Sequence, residues 1–445
     1  MKAADWLGRH RGIAGLTTGL LAGIAVTALS TVYLQPILAD SGGPEPGALV
    51  IMSGHDDSAG QQRHVLIDQW NQLHKTNPVQ IIELSAVADA QRSAMLSSAQ
   101  AGGRQVDIYN LDVTLVAEFA SGRYIRRLDT DRLDLSGFLD NPIRTCRDGD
   151  AVWCLPFNSD AGLLFYRTDL VSRPPTSWSQ LAESAAAALD RPAGQRPKAG
   201  YTGQLADYEG LTVNAIEAIW AAGGEVVDDQ GRIAIDSEAA RTGLARLARG
   251  LKGGSQPLVL PESTGFHEAE STHAFADKQV VFMRNWPVAY RTLDPSASAD
   301  GSARCATGSD TGPKKVPFAV TLLPGPSVLG GQNLAVAARS RHPRAAQQLI
   351  EFLTSERSQQ ILFERGGFAA TREIVYRDSA VTERYGYAQT LLAAIQEARP
   401  RPVLPRYAQF SKTFRAIVRE ALANGGDLPP DAVTRLERAR QGYLD

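Results

Sequence analysis

A chain of 445 residues is too long for one ordinary hydrophobic core, so two lobes or domains are expected. Its 46 Lys and Arg nearly balance 48 Asp and Glu, and no basic run is interleaved with aromatics, which argues against a nucleic-acid partner. Three cysteines without close histidine partners argue against zinc, and no nucleophile elbow, phosphate-cradling glycine loop or HExxH pattern points to an enzyme class.

Residues 1–47 read as a targeting segment and tether outside the fold. Lys2, Arg9 and Arg11 precede a mildly apolar run over 13–38, long enough to span a bilayer, with the charge asymmetry that keeps a leading end in the cytoplasm. An uncleaved transmembrane anchor is expected, with cleavage after Ile37-Leu38-Ala39 as the alternative. SGGPEPG over 41–47 then serves as a flexible tether.

Residues 49–52 form a short apolar strand. Leu66, Ile67, Trp70 and Leu73 recur at helical spacing, Asn77-Pro78 ends that helix, and residues 79–84 return as a strand. A helix over 90–100, a Gly102-Gly103 stop, a strand over 106–110 and a helix through Phe119 complete a βαβαβ order. That order predicts a doubly wound parallel sheet with its ligand site at the carboxyl ends of the strands. Two polar groups fall at those ends: SGHDDS over 53–58, of which Asp57 is the residue expected to reach the cleft, and Asp112, which also fits as a helix N-cap. Cys146 and Cys154 bracket RDGDAVW, where Asp148-Gly149 signals a turn. In an extracytoplasmic compartment the two are expected to form a disulfide across a hairpin, leaving Cys305 over in an exposed loop at 295–311.

LPFNSDAGLLFYR over 155–167 reads as the first crossing between lobes, a strand over 162–166 preceded by the polar group Asn158-Ser159-Asp160; further crossings are expected near Trp286 and Gly330. A helix carrying Leu211, Ala215, Ala218 and Ile219 ends at Gly223-Gly224. Tyr208 and Glu209, which precede it, and Trp220 on it are candidates to touch ligand, although Trp220 shares a face with Ile216 as a core residue would. In QVVFMRNWPVAY, Val280 to Met283 have strand character and Pro287 belongs at an edge, a turn or a helix start. Trp286 thus stands at a strand-to-helix corner, either as a core residue or as a flat ring at the rim of a sheet, with Arg284 and Asn285 beside it. Near the C-terminus, Arg399 and Arg401 in RPRPVLPRYAQFS are equal rivals by sequence.

The RNWP element at 284–287, with NLDVTLVAEFASGRYIRRLD from Asn110, LLFYRTDLVSRPPTSWSQL from Leu163 and GGQNLAVAARSRHPRAAQQLIEFLTS from Gly330, resembles a known family in the same order. That family is the extracellular solute-binding proteins of the maltose and trehalose type, which serve ABC importers, and the resemblance spans residues 49–425. It implies an α/β, two-lobed periplasmic-binding-protein-like fold, with doubly wound sheets joined by hinge crossings. The first lobe is expected over 49–157, the second over 158–285, a return to the first over 286–330, and mainly the second over 331–445. It also implies a carbohydrate held between the lobes by Asp57, Asp112, Asp160, Glu209, Trp220, Trp286, Gly331 and Arg401, with Trp286 stacked on a sugar ring. Expected partners are the membrane subunits of an ABC transporter, and the membrane itself through the N-terminal segment; a monomer without metal or cofactor is expected. Many relatives are lipoproteins, but no cysteine lies near residue 40 here to carry a lipid. Two alternatives stay open: a sensor built on the same fold, and a glycosidase using a carboxylate pair held about 5–10 Å apart.

Overall fold

The computed structural model describes residues 43–443, except 59, 103–105, 132, 193, 253, 255 and 295–315. The chain divides into units 1–45 and 46–445, and the description below concerns the second. Nearly all of the expected anchor, and Cys305, lie outside the described residues; among those described, no helix is long and apolar enough to cross a membrane.

The first third builds β1 (Leu49–Ser53), α1 (Gln62–Leu73), β2 (Val79–Glu83), α2 (Ala88–Gln100), β3 (Ile108–Asp112) and the short α3 (Val116–Ser121). In α1 the periodic residues Leu66, Ile67 and Trp70 are buried, and Trp70 Nε1 donates to the Asn77 carbonyl at 2.8 Å, which fixes the turn into β2. Leu73, the last of that series, is 72% exposed because the helix ends there and its side chain runs past the core. The strands pair in parallel as β2-β1-β3, the result expected when a helix connects each strand to the next.

After α4 (Asp140–Arg144) comes a two-residue hairpin, β4 (Arg147–Asp148) with β5 (Ala151–Val152), turned by Gly149 at φ 57°. The flanking Cys146 and Cys154 meet as anticipated, but as two buried thiols and not a disulfide. Burial raises the Cys154 thiol pKa, and the adjoining Cys146 adds to the effect.

The chain then passes from β6 (Leu155–Ala161) into β7 (Leu163–Arg167) across Gly162 alone, and those strands belong to different sheets. A side chain at Gly162 would come within 2.6 Å of Glu217 Oε1 and 2.8 Å of Arg284 Nη2, so the crossing is glycine because a buried ion pair lies against it. The second sheet, ordered β10-β7-β9-β8, takes in β8 (Ala199–Thr202), β9 (Val280–Asn285) and β10 (Phe318–Leu322). Around it lie α5 (Trp178–Leu189), α6 (Glu209–Trp220), α7 (Glu238–Leu251), α8 (Glu268–Ala276) and the short α9 (Ala289–Leu293).

β11 (Leu329–Val336) returns to the first sheet, whose full order is β2-β1-β3-β11-β6. It runs antiparallel to both β3 and β6, so the sheet is mixed and not the parallel one expected. The reason is topological: β6 and β11 join it at crossings from the other sheet, without the helical crossover that forces parallel pairing. Two boundaries also differ from expectation. No crossing occurs near Trp286, because β9 and β10 both lie in the second sheet, and the passage back to the first falls at residues 323–328. The stretch after 330 begins with the first core, since β11 and the buried face of α10 (Pro343–Leu353) pack there through Leu334, Leu349, Ile350 and Leu353. α11 (Glu356–Gly366), α12 (Ser379–Arg384) and α13 (Ala388–Glu397) follow. α14 (Tyr407–Ala423) and α15 (Ala432–Arg440) close the chain, and Phe410, Phe414, Ile417 and Leu436 join the second core.

Candidate functional site

Strand register assembles the floor of the site. Asp112 at the end of β3 lies opposite Gln332 of β11, which lies opposite Asn158 of β6, and Gly330 faces Asp160 two residues farther along. Asn158 Nδ2 donates to Asp160 Oδ2 at 3.2 Å. Asp112 is the N-cap that its position allowed, with Oδ1 accepting from the Thr114 backbone N–H at 2.9 Å, and its carboxylate also pairs with Arg401 Nη2 at 3.1 Å. The other arm of Arg401 donates to Glu209 Oε1 at 2.7 Å, so one buried guanidinium joins the first sheet to the start of α6. Tyr407 and Ser411 of α14 donate to Glu209 as well, the latter at 2.6 Å. Burial opposes the charge on Arg401, but Asp112, Tyr407 and Glu209 outweigh it and leave the guanidinium pKa above its ordinary value. Arg401 Nε and Asn158 Oδ1 are buried and make no hydrogen bond within the protein.

Asp160 differs from its neighbours because no cation is paired directly with it. Burial, then the charge of Asp112, push its carboxyl up to about 7, with Arg284 and Asn158 only partly opposing. An unfolded Asp gives up its proton near pH 3.8 while the folded one keeps it, so this group makes stability fall as pH rises from 3.8 to about 7 and level off above. At 1.36 kcal/mol per pKa unit the loss is about 4 kcal/mol at most. Asp160→Asn is expected to raise apo stability at pH 8 and to flatten that slope in urea titrations run from pH 5 to 8. An unchanged slope would assign it to other groups.

Trp286 supplies a flat surface beside these carboxylates. It stands just past β9, half-buried, with the Arg284 guanidinium 3.8 Å from its ring centroid and its Nε1–H directed to Glu268 Oε1 at 3.3 Å. Arg284 is held in turn by Glu217 through two hydrogen bonds of 2.8 Å, and by Gln204 at 3.3 Å. One face of the indole is therefore backed by a fixed cation. The ring reaches over Gly330, where an added methyl would come within 3.3 Å of it and 3.2 Å of Asp160 Cβ.

The remaining candidates separate. Arg399 stacks at 4.3 Å on Trp220 and pairs with Glu225 at 2.8 Å, while Trp220 Nε1 donates to the same carboxylate; both belong to a group apart from Asp112. Trp220 is thus a core residue of α6, as its spacing with Ile216 allowed, and the rivalry between arginines resolves to Arg401 as the one between Asp112 and Glu209. Gly331, at φ 117°, has a backbone role: a side chain would collide with the Asn158 carbonyl where β11 passes β6. Asp56 is a capping residue, accepting from Ser58 and from the Arg63 N–H. Asp57 is exposed, yet burial of its carboxyl, with Asp56 and Glu268 nearby, raises its pKa. Tyr208 packs on His267 with ring centroids 4.3 Å apart, close enough to Glu268 for that charge to add to burial in raising its phenol pKa. Glu268, Glu217, Tyr407 and Ser411 carry no sequence signal of their own, and Glu268 lies in the first turn of α8, inside the capping box of His267 and Glu270. A separate cavity of about 300 Å³, lined by Tyr109, Tyr124, Arg123 and Arg339, opens at the far end of β3 and β11 and takes no part in this arrangement.

Comparison with known proteins adds four findings. A family model described as bacterial extracellular solute-binding protein matches residues 66–389. A probable ABC transporter-binding protein of Deinococcus radiodurans is 28% identical over 383 residues, covering 83% of this chain and 87% of the relative. Among solved structures, maltose-bound MalE3 of T. maritima aligns with a TM-score of 0.77 at 27% identity, over 88% of this chain and 99% of that one. The GacH receptor of Streptomyces glaucescens, described unliganded and with acarbose, shares the fold at a TM-score of 0.72 and 18% identity, over 90% and 100% of the two chains.

Proposed function

We infer from one premise, that this chain belongs to the bacterial extracellular solute-binding protein family, that it captures a carbohydrate between its two lobes and passes it to an ABC transporter. The observation that carries the sugar reading is the Trp286 indole set among Asp112, Asp160 and Glu268. A pyranose presents a C–H face that packs on an aromatic ring and an equator of hydroxyls that donate to carboxylates. The Arg401 fork serves hydroxyl oxygens, and its free Nε, like Asn158 Oδ1, is a buried group that a polyhydroxyl ligand can satisfy. MalE3, with maltose bound, supports the same class of ligand. Asp57 approaches from the first lobe, toward Glu268.

Titration calorimetry with maltose and trehalose tests this. Binding of either, with the disaccharide recovered intact from the denatured protein, is expected; hydrolysed product would favour the glycosidase alternative, and no heat from any neutral sugar would remove the carbohydrate reading. The chain is tethered outside the cell by residues 1–47, a reading supported by their charge and apolar run. It should sediment with membranes and be shaved from intact cells by protease, whereas a soluble mature form starting near Asp40 would show cleavage instead.

A further inference from the structure

A polar chain runs from the candidate ligand floor to the rim between the two lobes. From Asp112 it passes through Arg401 to Glu209, and Ser411 Oγ donates to Glu209 Oε2 at 2.6 Å. Arg415 Nη1 then reaches Ser411 Oγ at 3.5 Å. Arg415 is one helical turn beyond Ser411 on α14, and its guanidinium is fixed on the second-lobe side by Asp207 at 3.2 Å. Its remaining arm extends to Asp89 Oδ2 at 2.9 Å. Asp89 sits in the first turn of α2, a helix that packs on the first core through Met95 and Ala99, whereas α14 packs on the second core through Phe410, Phe414 and Ile417. The Asp89–Arg415 pair therefore ties one core to the other.

We propose that Asp89 and Arg415 form a latch at the rim, which weights the protein toward its closed arrangement and is coupled through Ser411 and Glu209 to the ligand floor. The inference rests on the binding reading only in that closure is what would retain a ligand. The two halves are unequal. Arg415 has a side chain only 8% exposed and keeps Asp207 when the lobes part, so the cation stays oriented in either arrangement. Asp89 is 48% exposed and has Arg415 as its ion-pair partner among the described residues, so its contact is the one that opening breaks. A half-exposed pair is weak by itself, yet a pre-oriented guanidinium loses little side-chain freedom in forming it. Because Glu209 takes hydrogen bonds from both Arg401 and Ser411, a ligand that reorders the floor also reorders the residue on which Arg415 rests.

The test uses the full chain without sugar, so its failure is separate from failure of the carbohydrate reading. Fluorophores at Leu73→Cys on α1 and Arg249→Cys on α7, in a Cys305→Ser background, report the ratio of closed to open molecules by single-molecule energy transfer. Asp89→Asn, which keeps the side-chain shape and removes the charge, is expected to lower that ratio about threefold or more. Asp89→Glu retains the carboxylate and should remain near the parent value. An Asp89→Asn distribution matching the parent would overturn the latch, and so would equal shifts in the Asn and Glu variants, which would mean that the start of α2 and not its charge matters.

Discussion

Trp286→Ala is expected to weaken maltose binding by about tenfold to a hundredfold, the loss of an aromatic platform worth about 1–3 kcal/mol by analogy with stacking on nucleobases. Fold stability should change less than the roughly 3–5 kcal/mol of a core tryptophan, because the ring is half-buried and the guanidinium behind it is anchored independently by Glu217. Calorimetry for affinity, with urea unfolding of the ligand-free variant, separates the two effects. A stable variant that binds as tightly as the parent would remove the stacking role.

Glu217→Ala acts in the opposite way, with a large loss of stability expected even without ligand. Arg284 is 1% exposed, and its pKa is raised because Glu217 outweighs the opposing effect of burial; without that carboxylate an uncompensated cation remains in the core. Breaking a buried pair in this way costs about 3–5 kcal/mol. Glu217 Oε1 also accepts from the Val328 N–H at 3.0 Å, so the substitution frees the backbone just before the passage into β11. The urea midpoint should fall accordingly, and a change below about 1 kcal/mol would show that Arg284 finds water or Gln204 sufficient.

These two residues mark the limits of reading the chain by pattern. The βα order from β1 to β3 was legible because Leu66, Ile67 and Trp70 repeat at the helical period and Asn77-Pro78 stops them. Trp286 was legible because a strand-like run meets Pro287. Arg284 and Asn285, by contrast, lie within β9 and are fully buried, although a charged residue ordinarily ends an apolar strand. Their partners, Glu217 for the arginine and Ser271 and Thr272 for the asparagine, are brought by tertiary structure and leave no local trace. Asn158, Ser159 and Asp160 read as a polar approach to a strand but are themselves strand, paired with Gly330 to Gln332 of β11. Glu209 and Arg401 were visible as polar residues near a helix start and a proline-rich turn, but the bonds that bring Arg401 to Glu209 and to Asp112 span 192 and 289 positions of chain, beyond any periodicity.

The insertion of β11 between β3 and β6 carries a consequence for how the molecule comes to exist. Any chain ending before Leu329 leaves β3 and β6 without the strand that joins them, so the first sheet cannot close until three quarters of the polypeptide has been made. Pairings between such distant segments pay loop-closure entropy before they are rewarded, which makes assembly slow. β11 follows all four strands of the second sheet, β7 to β10, so that sheet has its full complement of strands before the first one does.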